Sequence, residues 1–379
     1  MINENTFRNM ASPMISASDK MTLSVLSRVR AFAIRSVNSP ESLTTYEREI
    51  LRLVREDLRA FGQDIRRFSD TQIAEAYIKG IESTNADFKR AGVAEGRSPI
   101  PAQQIFAPNR ADPSDNARQI LTRAGYATHT SYVGAFQQAM INETAQMQFQ
   151  ILRETQDVLR SIQGEATRTI FLESDTLTRR GFQQEIVNRI ADSGIPAVRY
   201  ADGRMVSVEA YSEMSSRTIL GNSARQATLN RNAELGNDLV RMSTHARTSP
   251  MCEPWEGRVY SETGNSSDYP PLQEAIDGGA FHANCKHALA PYYEGISPEL
   301  QPDGTPEELR LGNEKTYKAE QQQRYYERGI RRWKQREAVA LSPDEAEKAK
   351  SRVKLWQSKQ REHLEENSYL KRQYQREQI

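Results

Sequence analysis

LVRMSTHARTSPMCEPWEGRVYSETG (residues 239–264) and YPPLQEAIDGGAFHANCKHALAPYYEGIS (residues 269–297) flank a short polar loop, and the rest of the chain is placed around them. Three of the five histidines, His245, His282 and His287, and both cysteines, Cys252 and Cys285, lie here. Their spacing is His-x6-Cys, then His-x2-Cys-x-His, across a loop rich in Gly, Ser, Asn and Pro. Soft and borderline donors gathered this way point to one tetrahedral metal site that the loop closes. Zinc in a structural role is the expected cofactor, pinning residues 261–281 onto a sheet. Cys285 and His287 alternate, so on a strand they share a face. His245 and Cys252 come from the other segment, and His282 is the spare, either a fifth candidate or a group behind the ligands. Two partly buried thiols among unrelated polar histidines are the alternative account.

Leu239–Ser243, Gly257–Tyr260 and His287–Tyr293 read as strands of a mostly antiparallel sheet. Just upstream, two alternating runs between Val198 and Val208 surround Asp202-Gly203, a hairpin signal. A helix is expected from Glu209 to about Glu234, with Tyr211, Met214 and Ile219 on one side. Residues 197–297 therefore form a small α+β domain. Trp255 and Tyr260 read as its core rather than as stacking platforms for bases.

On the N-terminal side, residues 41–196 form a helical domain. Thr44-x-x-Glu47 resembles a capping box. Ile50, Val54, Leu58, Phe61, Ile65 and Phe68 step by three and four, a helical stripe with charged residues opposite. Ser69-x-x-Gln72 repeats the capping signal before Ile73, Tyr77 and Ile81, which predicts a helical hairpin. Residues 91–116 carry Pro99, Pro101, Pro108 and Pro113 with Gly92 and Gly96, an extended arm expected to lie along a neighbouring subunit. Helical periodicity returns from Ala117 to Leu159, and again through Phe182, Ile186 and Ile190 to a stop at Gly194 and Pro196. Residues 1–40 make an N-terminal segment, poorly ordered to about residue 18 and helical from Asp19 to Arg35.

Residues 298–379 are helical and nearly coreless. Tyr326, Ile330 and Trp333 form a stripe, and Ser342-Pro343-Asp344-Glu345 marks a second helix start. Helices over 314–340 and 343–376 would make a long C-terminal hairpin. Residues 305–379 hold 18 Lys plus Arg against 13 Asp plus Glu. Arg328, Arg331, Arg332, Lys334 and Arg336 are the candidates for a strip facing DNA or another protein, although such a pattern is more often a solvated helix face.

The whole chain, 379 residues with a net charge of +1, is no electrostatic magnet for nucleic acid. Only 37% of it is apolar, and the mean hydropathy is -0.74, which suits long solvent-washed helices better than one large core. Two cysteines cannot make a disulfide framework. No apolar run approaches the roughly 20 residues that span a bilayer. The opening MINENTFRNMASPM has no apolar core of a Sec signal, so synthesis in a cytoplasm and no membrane partner are expected.

Four motifs in order give the chain a resemblance. They are Gly194-Ile195-Pro196 through Tyr200-Ala-Asp-Gly203-Arg204 with Val208-Glu-Ala-Tyr211 and Arg217-Thr218; Ser243-Thr-His245 through Cys252-x2-Trp255-x-Gly257-x-Val259-Tyr260-Ser261; Asn284-Cys-Lys-His287 closing on Pro291 and Gly295-Ile-Ser297; and Tyr317-x3-Gln321-x2-Arg324-x2-Glu327-Arg328-x-Ile330-Arg331. From about Tyr46 to the C-terminus the chain resembles the minor capsid protein 2 group of tailed bacteriophages, related to Mu-F-like head morphogenesis proteins. The group often has histidine where this chain has Cys252, an exchange that metal coordination permits and acid–base chemistry does not. It usually has Gln where this chain has Glu256.

The resemblance implies a structural minor head protein of the virion, made in the host bacterial cytoplasm and placed at the portal vertex or in the head interior. It would act in head morphogenesis and in DNA packaging or ejection. Its partners would be the portal protein, capsid components and phage DNA, the last through the basic C-terminal helices. The expectation is no enzymatic activity. The rival is a metal-dependent hydrolase or nuclease, or a toxin-like enzyme carried in the virion. His282-x-Asn284-x2-His287 is superficially like a His-Asn-His nuclease, with Glu253 and Asp277 as the available bases. No Arg, Ser-Thr-Ser and Glu-x-Glu set of a transferase toxin is present.

Overall fold

The computed structural model describes residues 4–39, 42–93, 98–107, 109–172, 175–193, 196–200, 203, 205–300 and 304–379. In chain order the elements are α1 (Glu4–Asn38), α2 (Leu43–Ala91), α3 (Asp115–Arg123), α4 (Thr130–Phe171), α5 (Thr176–Ser193), β1 (Pro196–Arg199), β2 (Met205–Ser207) and α6 (Val208–Glu234). There follow β3 (Leu239–Met242), β4 (Val259–Ser261), α7 (Leu272–Asp277), β5 (Leu289–Pro291), α8 (Pro306–Leu311), α9 (Asn313–Ala338) and α10 (Pro343–Glu366). The fold is mainly α with a small α+β region. β1 and β2 pair antiparallel, and a second sheet has the order β4-β3-β5, antiparallel throughout. Asp202 of the expected turn, and Gly194 and Ile195 at the expected helix stop, lie outside the described residues.

Two compact units form, each gathered from three pieces of chain. One holds Met1–Met14, Ile65–Asn142 and Glu213–Lys318; the other holds Ile15–Asp64, Glu143–Ser212 and Ala319–Ile379. In the first, β3, β4, β5 and α7 enclose Leu229, Val240, Met242, Cys252, Tyr260, Leu272, Phe281 and Leu289. Tyr260 is buried there and donates its hydroxyl to the Trp255 carbonyl at 2.6 Å, so both aromatics belong to the core side of the sheet. In the second, Arg28 of α1 binds Asp57 of α2 at 2.6 Å, and Phe32 stacks on Tyr46 with centroids 5.8 Å apart. There too α9 and α10 form the expected hairpin: a Cβ on Gly329 would meet the Trp356 ring at 2.2 Å, so only glycine lets the two helices come this close.

Three expectations fail, each for a physical reason. The predicted hairpin around Ser69 is one 49-residue helix, α2. The stripe Ile50 to Phe68 is buried as expected, and burial continues without a break through Ile73, Ala74, Tyr77 and Ile81. No Gly or Pro separates the two halves, so the Ser69 capping signal goes unused and its hydroxyl is buried without a partner. At the N-terminus, α1 begins at Glu4, not Asp19. Its early buried side is Met10, Ala11, Met14 and Ser18, small or soft residues at helical spacing that hydropathy undervalues. The last helix stops at Glu366 rather than 376; Asn367 caps it, and the tail returns to α9, where Gln323 Nε2 donates to the Lys371 carbonyl at 2.9 Å.

The described residues of the proline-rich arm pack on their own chain. Gln103 N–H donates to Glu262 at 3.0 Å, Phe106 N–H to the Gln226 amide oxygen at 2.9 Å, and Ile100 N–H to the Ala233 carbonyl at 2.9 Å. Ile105 and Phe106 join the small core, with Phe106 edge-on to Phe281. Side chains thus satisfy backbone groups that the prolines keep out of regular structure. Burial pushes the Glu262 carboxyl up to about 8, and its second oxygen is buried without a partner.

Candidate metal centre

β3 runs into a loop at Ser243, and the chain then makes one tight turn, with Cys252 N–H and Glu253 N–H both donating to the Ser249 carbonyl. A second turn holds Trp255 and Glu256 N–H on the Cys252 carbonyl, and Gly257, at φ 75°, reverses the chain so that its N–H returns to the Met242 carbonyl. Cys252 is thereby buried between the sheet and α7. From the other side, Cys285 N–H donates to the His282 carbonyl at 2.9 Å, closing a turn in which Phe281 and Asn284 both have positive φ, 57° and 64°. Non-glycine residues pay a conformational cost there, and such strain collects where a site is being held.

The two turns bring Cys252, Cys285 and His287 together, with one donor atom of each within 4.8 Å of the others. Cys252 Sγ lies 3.7 Å from Cys285 Sγ, and Cys285 Sγ lies 3.3 Å from His287 Nδ1. A zinc tetrahedron with Zn–S near 2.3 Å and Zn–N near 2.0 Å has S···S edges of about 3.8 Å and S···N edges of about 3.5 Å. The donors fit that ion, and the cluster could hold a metal. His287 N–H also donates to Cys285 Sγ at 3.4 Å, a contact that favours the thiolate.

Burial pushes the Cys285 thiol upward, but its side-chain contacts with Cys252 and His287 and the charge of Arg225 outweigh it, so this sulfur ionises well below the usual range. Cys252 moves up, because it supplies the shared proton to Cys285 and is itself buried. His287 is raised despite burial by its bonds to Cys285 and Glu256. Glu256 is lowered despite burial by His287 and the Thr248 hydroxyl.

The other two candidates separate. His245 stands beside the cluster, its ring edge-on to His287 with centroids 4.6 Å apart, outside the group of three. His282 turns Nδ1 onto the neighbouring Ala283 carbonyl at 2.7 Å. Of the nuclease-like set, Asn284 hangs by its N–H from Thr218, Glu253 is exposed, and Asp277 accepts from Gln273 on α7. They do not converge on a reacting position.

Two important neighbours carry no sequence signal of a site. Arg225 on α6 is buried; its Nε donates to the His287 carbonyl at 2.9 Å and its Nη2 to the Cys285 carbonyl at 3.1 Å, which fixes the Cys-x-His turn. Glu256 Oε2 accepts His287 Nε2–H at 2.9 Å. Only its place four residues after Cys252, in the same turn, could have drawn notice.

The basic strip of α9 is scattered among internal partners. Arg331 binds Asp19 at 3.1 Å, Arg336 binds Asp192, and Arg332 lies over both the Trp333 and Trp356 rings. Lys334 is half-buried, lowered by that burial, and faces Glu377. Arg328 is exposed and sits near Arg324. No helix among the described residues is long and apolar enough to cross a membrane.

The chain is 28% identical over 210 residues to a structural protein of Lactococcus phage LL-H, a match covering 52% of this chain and 56% of that one. It is 38% identical over 117 residues to a structural protein of Lactococcus phage mv4, covering 29% of this chain and 92% of that one. No solved structure matches it. The family model described as phage minor capsid protein 2 matches residues 44–365, which takes in Cys252, Cys285 and His287 and most of both units, and the chain belongs to that family.

Proposed function

We propose that the protein is built into the phage head at or near the portal vertex, acting in head morphogenesis, and that one structural zinc ion holds its small domain in shape. The family match carries the head reading, and the Cys252, Cys285 and His287 set, whose S···S and S···N edges suit zinc, carries the metal reading. Bound there, the ion would tie the turn after β3 to the turn before β5. Catalysis would require an open coordination position and a base aimed at it. The acids nearby are an exposed Glu253 and a Glu256 already engaged by His287. Arg331 and Arg336 serve Asp19 and Asp192, which favours contacts with protein over a strip for DNA phosphates.

Two measurements test the proposal. Metal analysis of the purified protein should give one zinc per chain, and its removal should unfold the small domain; a metal-free protein of unchanged stability would end the zinc reading. Localisation in a virion reconstruction should place the chain at the portal vertex, and density confined elsewhere would end that assignment.

A further inference from the structure

One carboxylate oxygen joins three parts of the site. Glu256 Oε2 accepts the Thr248 hydroxyl at 2.6 Å, His287 Nε2–H at 2.9 Å and the His245 backbone N–H at 3.2 Å. We propose that Glu256 is the positioning residue of the metal centre, and that it sets His287 to bind through Nδ1 and holds His245 in place as the fourth donor. The proposal rests on the zinc reading above.

A neutral imidazole carries one proton, and the nitrogen facing a carboxylate keeps it. With Nε2–H on Glu256, the free pair of His287 is at Nδ1, the atom 3.3 Å from Cys285 Sγ. Carboxylates placed behind ligating histidines in this way fix ring orientation and raise ligand basicity. The same oxygen anchors the backbone of His245, whose ring touches that of His287 and whose Nε2 lies 3.5 Å from Ser243 Oγ. His282 has turned to its own backbone instead. Two sulfurs and two imidazoles make a closed tetrahedral set that leaves no place for a reactive water.

The test uses the full-length protein, zinc competition against a chromophoric chelator, and the visible absorption of the Co2+-loaded form, which reports tetrahedral geometry. Glu256→Gln keeps an acceptor and should stay within about tenfold of the parent in zinc affinity, whereas Glu256→Ala should lose about 10- to 100-fold and shift the cobalt bands. His245→Ala should shift the bands as well, and His282→Ala should leave them unchanged. If Glu256→Ala fails to fold, Glu256→Asp decides, because its shorter side chain withdraws from Nε2 and should reproduce the shift. Parent-like affinity and spectrum in Glu256→Ala or Glu256→Asp would overturn the positioning role. A spectrum that follows His282 and ignores His245 would overturn the fourth donor. A parent protein that binds neither zinc nor cobalt removes the zinc reading itself, a result distinct from both.

Discussion

Between β3 and β5, Cys252, Glu256, Cys285 and His287 come from two separate turns and are linked in one chain of contacts, Cys252 to Cys285 to His287 to Glu256. Along α9, Arg328, Arg331, Arg332, Lys334 and Arg336 are closer in sequence, yet they are spread over Asp19, Asp192, Glu377, Arg324 and the Trp333 and Trp356 rings. The contrast is geometric. A helix rises about 1.5 Å and turns about a quarter to a third of a circle per residue, so consecutive long side chains fan out. Tight turns fixed by a sheet can aim several side chains at one point. Charge density along a helix is therefore weak evidence for a site, and short mixed clusters in loops are stronger evidence.

The largest expected effect strikes the convergent region. Cys285→Ser should lower metal affinity by more than about 100-fold, beyond what loss of a supporting residue costs, and abolish cooperative unfolding of the small domain. Retained zinc by metal analysis would show that the convergence is ordinary packing.

Next comes Glu262, whose folded carboxyl titrates near 8 because burial disfavours its charge. With the folded value above the unfolded one, its stabilising contribution is complete below the ordinary carboxylate range and fades as pH rises toward 8. Glu262→Gln should therefore flatten the stability–pH profile and raise Tm at pH 8 relative to the parent, with at most about 1.4 kcal/mol per pH unit involved. Parallel profiles would show that the buried oxygen is not held protonated.

Gly278→Ala sharpens the steric side of the comparison. Its Cβ would fall 1.9 Å from Cζ2 of Trp255, a ring that shares the turn with Cys252 and Glu256. The expected cost is about 1–3 kcal/mol by chemical denaturation; a neutral result would mean that the ring has room to move.

The smallest effects belong to the helices. Arg331→Ala breaks a largely buried pair with Asp19 and should cost about 1–2 kcal/mol, while Arg52→Ala removes an exposed i,i+4 partner of Glu56 and should cost about 0.3 kcal/mol. If Arg331→Ala left stability alone but weakened DNA retention in a salt-dependent filter assay, the α9 strip would face phosphate after all.

How far the sequence carried the fold depended on the kind of signal. The Ile50–Phe68 stripe is helical and buried because apolar periodicity and packing agree there. The same reading broke α2 at Ser69, since a capping pattern is a local preference that a long continuous buried face overrides. The start of α1 is not legible because Pro13 reads as a break and the buried side there includes the small Ala11 and the polar Ser18. In the site, Cys252, Cys285 and His287 were legible from donor type and spacing. Glu256 and Arg225 were not, since their roles depend on where two turns and α6 place a carboxylate and a guanidinium. The discontinuous units are not legible in sequence order, because compactness joins pieces more than two hundred residues apart.

The proline-rich arm has a kinetic consequence. Its backbone is held by Gln226 and Glu262, residues 120 and 159 positions away from their partners in the arm. Such contacts close large loops, and they can form only after α6 and β4 stand in place. The arm should therefore dock last and release first, exposing an extended stretch over residues 98–107 well suited to proteases. Cleavage there, timed against unfolding of the small domain, would make this segment a reporter of that domain's integrity that needs no added label.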